Sequence, residues 1–217
     1  MGCDRLMAEY EKAKNDFLLH LDNHIARTTS SWMEPGALIA ISNCNAQLEY
    51  GKTEANTYGE ANVLMTAILP ESDRDTIMEN STEDKLASSE IFKKASGLAR
   101  ECDAIISRRY GGPNILPYLN VRLSFMKFIV GREAAIRHLE DRFPWALVAQ
   151  MLNSLSIHFP RHERIEREKF VRSNDLPLPE DWSLRGLLWT DKLFPPDRFN
   201  SDKVDSRTSS LGIAVSA

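Results

Sequence analysis

At 217 residues, with 42% hydrophobic and 27% charged residues, the chain has material for one domain with a sizeable core and too little for two large ones. Every apolar run is broken by charge or proline well before membrane-spanning length, and the N-terminus lacks the basic region and apolar core of a secretory signal. The net charge of −4 is unevenly spread: residues 1–100 are acidic, whereas Ala104 to Arg172 carries 12 Lys/Arg against 6 Asp/Glu, a basic centre suited to a phosphate backbone.

The pattern is helical nearly throughout. Leu6, Tyr10, Ala13, Phe17, Leu21 and Ile25 recur at helical spacing, with Leu18 thickening the stripe, and predict a first helix of about seven turns. "TTSSW" breaks it. Pro35 suits the first turn of a second helix, with Leu38, Ile41, Cys44 and Leu48 as its buried stripe and Gly51 as its stop. A short apolar piece, Val63 to Leu69, ends at Pro70, and the acidic stretch from Pro70 to Thr82 reads as an exposed loop. Thr82 then caps a long helix whose expected stripe is Ile91, Ala95, Leu98, Cys102 and Ile105, closed by Gly111, Gly112 and Pro113.

From Asn114 to Val130 the chain is apolar on all sides, which marks a buried helix, with Pro117 tolerable only in its first turn. "REAAIRHLEDRF" predicts a short amphipathic helix. Pro144 begins another, striped by Trp145, Val148, Leu152 and Leu155 and widened by Leu147 and Met151. A charged helix follows Pro160, then the segment "LPLPEDWSLRGLLW" and a loose polar tail after Asn200. No run alternates with period two over strand length, so the expected fold is all-α, built of stacked antiparallel helical hairpins in a single domain. No internal repeat is visible by eye.

Little in the chain promises reaction chemistry. Adjacent helical carboxylates do not face each other, so Glu180 and Asp181 are read as first-turn charges after Pro179, within a strap laid over earlier hairpins. His20 and His24 share a helix face at metal-compatible spacing but lack further ligands, so no metal is expected. Cys3, Cys44 and Cys102 are scattered and odd in number, which points to a reducing compartment. "MGCD" offers Gly2 and Cys3 for acyl chains, but Leu6 stands where a myristoylation pattern wants Ser or Thr. Neither a nucleophile elbow nor a phosphate-cradling glycine loop is present, so neither an enzyme nor a cofactor is expected.

The strongest candidate surface is the basic helix holding Arg161, Arg164, Arg167, Lys169 and Arg172, joined by Arg108 and Arg109 and then by Arg132, Arg137 and Arg142. The pairs Glu163–Arg167 and Arg164–Glu168 partly neutralise that helix, and spacing alone favours the other reading, a solvated, self-paired helix. A competing expectation is a protein-binding scaffold anchored by exposed Trp189, Phe194 and Phe199.

Three segments, Trp32 to Gly51, Gly111 to Leu155 and Arg164 to Asp205, together resemble the fungal branch of the ever-shorter-telomeres-type DNA/RNA-binding domain family. That family includes telomerase-associated subunits and nonsense-mediated decay factors. The elements carrying the likeness are "FPW" with "LN.L", and "LPED" with "RG". The resemblance implies a non-catalytic helical module that binds DNA or RNA, or serves as a scaffold in a telomere or messenger-RNA surveillance complex, in nucleus or cytoplasm, with no membrane partner. It supplies no contact residues; those above come from charge. It divides the chain into a partial helical-repeat start at 1–16, the binding-type domain at 17–200 and a tail at 201–217, the pattern expected of a truncated member.

Overall fold

The computed structural model describes residues 2–51, 63–68, 90–158, 177–190 and 193–200. Eight helices are described: α1 (Gly2–Thr28), α2 (Met33–Gln47), α3 (Val63–Ile68), α4 (Glu90–Ser107), α5 (Leu116–Val130), α6 (Glu133–Ile136), α7 (Trp145–His158) and α8 (Pro179–Leu184). No strand occurs among the described residues, so the fold is all-α as expected. The expected loop at 70–82, the charged segment at 161–172 and the tail at 201–217 lie outside the described residues.

Helix α2 is the centre of the packing, touching both α4 and α5. Its small side chains make this possible: Gly36, Ala37, Ala40 and Cys44 are buried and let the neighbouring helices close in. Gly36 is the tightest point. The Trp32 ring lies across it, and a Cβ placed there would sit 2.3 Å from the ring carbon Cζ3. Trp32 is itself fully buried and tilts against Tyr118 at the start of α5, with ring centres 6.2 Å apart.

Helices α1 and α4 run parallel. Met7, Lys14 and Asp22 meet Lys94, Glu101 and Arg109, each pair 87 residues apart in the chain. The turns that follow keep nearly that offset, since Asn114 donates to the Thr29 carbonyl 85 residues away. By contrast α2 and α4 are antiparallel, with Gln47 against Ser96 and Asn43 against Cys102. Helices α2 and α5 run parallel as well, with Trp32 against Tyr118 and Gln47 against Arg122, so the pair α1–α2 is stacked in the same sense on the pair α4–α5. This regularity lies in the backbone and escapes the eye in the sequence.

The stripes are rotated from those the sequence predicts. In α1, Leu6, Ala13 and Phe17 are exposed, while Lys14 and Leu18 turn inward above the buried Leu21 and Ile25. Lys14 reaches that face because it pairs with Glu11 at 3.3 Å and Glu101 at 3.2 Å. In α2 the expected Leu38 is exposed, and Asn43 and Gln47 are buried in its place. In α4 the buried set is Phe92, Ser96, Ala99, Cys102, Asp103 and Ile106, one residue later than expected for most of its length, and Ile91 faces out. In α7, Val148, Met151 and Leu155 are buried and Trp145 is exposed. In α1, α2 and α4 the cause is shared: polar side chains that find partners inside belong to the core face, and hydrophobic periodicity cannot see them.

Residues 177–190 and 193–200 form the strap. Helix α8 packs on α2, and the turn Leu188–Thr190 packs on α5. Asp181 accepts the Leu178 backbone N–H at 3.0 Å, closing the helix start, and also accepts from Arg198 at 2.7 Å. Both side chains of that ion pair are buried. Architecture thus accounts for Asp181, as the sequence suggested. Trp189 is buried with its ring edge-on to Phe125, centres 5.6 Å apart, and its N–H reaches Asn45 at 3.3 Å.

Candidate nucleic-acid interface

A buried polar knot ties the two hairpins together and shapes the surface above it. Arg122 rides on α5, a largely apolar helix, yet four of its five guanidinium N–H donors find acceptors. Nε and Nη2 donate to the two Asp103 carboxylate oxygens at 2.9 and 2.8 Å, and Nη1 donates to Gln47 at 2.9 Å and to the Cys44 sulfur at 3.3 Å. Tyr118 donates to the same carboxylate at 2.7 Å, and Gln47 passes a further bond to Ser96 at 3.2 Å. Burial works against the Arg122 charge, but the adjacent Asp103 carboxylate outweighs it and holds the guanidinium well above its ordinary range. Burial, reinforced by Asp103, likewise raises the Tyr118 phenol, so it stays a hydrogen-bond donor. Sequence reasoning passed over Arg122 because it stands alone among apolar neighbours.

Above this knot lies a pocket with about 10 Å³ of room, the space of about one water. Its lining includes Arg122 and Asp103, together with Arg100 from α4 and Arg142 and Phe143 from the turn before α7. Arg100 and Arg142 are exposed. The acid in the lining, Asp103, is already matched by Arg122, so the pocket mouth carries the positive charge of the other two arginines. Phe143 sits under the Arg122 guanidinium at 5.9 Å and packs against Trp145, ring centres 4.5 Å apart.

The structure separates the sequence-predicted arginines. Arg108 is exposed at the end of α4. Arg109 is a latch rather than a free contact: it donates to the Asp22 carboxylate at 2.6 Å and to the Asp22 carbonyl at 3.1 Å, joining the two parallel helices. Arg132 is folded back over the Phe128 ring at 4.0 Å and donates to the Phe128 carbonyl at 2.8 Å. Arg137 is exposed. Arg161, Arg164, Arg167, Lys169 and Arg172 lie outside the described residues. Arg100 was missed; a lone arginine on a helix has no signal of its own, and only the approach of residues 142–143 gives it a setting.

The proposed protein-binding anchors do not stand as drawn. Trp189 is buried against the chain's own helices, and Phe194 and Phe199 are half-buried against each other, ring centres 5.2 Å apart. Phe199 also packs on Trp182 at 5.1 Å. The strap spends its aromatics on closing the fold.

Two thiols are buried and unreactive in character. Burial pushes Cys44 up to about 11 and Cys102 up to about 12, away from the thiolate that nucleophilic work requires. His20 and His24 are both exposed, and among the described residues no group of three or more His, Cys, Asp or Glu is placed to hold a metal ion. No described helix is long and apolar enough to cross a membrane. No family model, curated protein or solved structure matches the chain.

Proposed function

We propose that the chain is a non-catalytic helical module that binds DNA or RNA through its basic centre, a relative of the ever-shorter-telomeres-type domain acting in nucleus or cytoplasm. The observation that carries this reading is the meeting of exposed Arg100 and Arg142 at one pocket mouth whose acid, Asp103, is already matched. Exposed guanidiniums on a rigid frame suit phosphate oxygens. The sequence likeness in "FPW" and "LPED" supports the same reading, and Phe143 and Asp181 hold the frame there.

Binding of this kind releases counterions, so affinity falls steeply with salt and depends little on sequence. Filter binding with labelled RNA and DNA at rising salt tests it. A linear fall of log affinity with log salt is the expected result. Absence of binding to every probe at low salt would defeat the reading.

A second reading, a scaffold within a telomere or RNA-surveillance complex, draws on one observation. Leu6, Ala13 and Phe17 share a face of α1 and are exposed. Leu6→Glu and Phe17→Glu would then abolish association with a protein partner while leaving nucleic-acid affinity unchanged.

A further inference from the structure

The pocket mouth and the exposed ring beside it together suggest a preference for one form of nucleic acid, an inference that rests on the nucleic-acid reading above. The pocket itself admits about one water, so neither a base nor a sugar can enter it. A ligand must lie across the mouth and send in an oxygen. Arg122 offers it little, since four of its five N–H donors serve Asp103, Gln47 and Cys44. Its part is to steady Phe143, whose ring its guanidinium faces. The remaining charge comes from Arg100 and Arg142, which line the pocket from different elements. Both are arginines, whose planar forks match phosphate better than an ammonium does.

Three residues beyond Arg142 stands Trp145, 45% exposed, the most exposed of the described tryptophans. Exposure of a large ring at the start of a helix costs apolar burial and asks for a reason. The ring is not loose. Its N–H donates to the Glu140 carbonyl at 3.0 Å, and Phe143 backs it with centres 4.5 Å apart. A platform already fixed in place loses little rotamer freedom when something stacks on it. Cationic groups that track a backbone beside an aromatic ring are the pairing that single strands exploit, because every unpaired base has a free π-face. A duplex keeps its bases stacked inside and offers the ring nothing.

We propose that Arg100, Arg142 and Trp145 seat one nucleotide of a single strand, the two guanidiniums on the phosphate and the indole under the base. The test uses the full chain and fluorescein-labelled probes of about 15 nucleotides: oligo(U), oligo(dT) and a duplex. Anisotropy titrations should show tighter binding to the single strands. Trp145→Ala should weaken single-strand binding about tenfold and leave duplex binding and the salt slope unchanged, while Trp145→Phe restores most of the loss. Arg100→Ala and Arg142→Ala should each lower the salt slope by about 0.7 on single strands. All four substitutions fall on exposed side chains, and circular dichroism checks that the fold is kept.

The outcomes are distinguishable. Normal single-strand affinity in Trp145→Ala and in the double arginine variant overturns this seat while the broader reading survives. No binding of any probe by the unaltered chain overturns both. Binding of a phosphoserine peptide instead of the oligonucleotides, lost in the double arginine variant, assigns the pocket to a phosphorylated protein and also overturns the proposal.

Discussion

Gly36 is where the chain has least freedom to change. It follows Pro35 in the first turn of α2, and its missing side chain is filled by the Trp32 ring. The ring cannot retreat, because Trp32 is fully buried against Tyr118. Gly36→Ala removes a helix-weakening glycine, worth about 1 kcal/mol in an open helix, but the clash wins. A net loss of about 1–3 kcal/mol is expected from overpacking, read as a lower urea midpoint with an unchanged slope. A second residue sets a pH dependence. His138 lies edge-on to Phe92, and burial, with Arg137 and Arg142 adding to it, lowers its pKa from the usual 6.5. The unfolded chain therefore takes up the proton first, and stability falls as pH drops from 6.5 toward the depressed folded value. His138→Gln should shrink the stability difference between about pH 7.5 and about pH 5, measured by urea unfolding at each. An unchanged difference would assign the acid sensitivity to other groups.

At the scale of elements, the strap depends on one carboxylate. Asp181 both starts α8 and fixes Arg198, and the pair is buried. Asp181→Asn removes the anion of a buried ion pair, a change that typically costs about 3–5 kcal/mol. Earlier proteolytic cutting near Gly186, with α1 still resistant, is the expected signature. The same scale shows what could be read from the sequence. Helix limits were legible because Pro35, Pro117 and Pro179 sit in first turns and Gly51 and Gly111 adopt the left-handed backbone that ends helices. Helix faces were less legible. Lys14, Gln47, Ser96 and Asp103 count as polar in any periodicity, yet each bonds across to another helix, so the stripes of α1, α2 and α4 came out rotated. The candidate surface suffered for the same reason. Arg109 looks free until Asp22, 87 residues earlier, comes alongside, and Arg100 looks ordinary until residues 142 and 143 come to line the same pocket.

Over the whole molecule the two hairpins share one core, and the charge at its middle binds them to a common fate. Arg122 is carried by α5 and held by Asp103 on α4 and Gln47 on α2. Parting α4 from α5 leaves Arg122 and Asp103 as unmatched ions in an apolar setting, which is far dearer than breaking a surface pair, and removing α2 strips the same guanidinium of its Gln47 and Cys44 acceptors. Opening motions smaller than the whole unit are therefore suppressed there, and backbone amides of all three helices should exchange with deuterium at a single shared rate. Asp103→Asn should quicken exchange in α2, α4 and α5 alike; quickening confined to α4 would mean that the hairpins unfold independently. A protein built this way keeps its outer surface steady while solvent and ligands come and go, because its stiffness is anchored far from the face they touch.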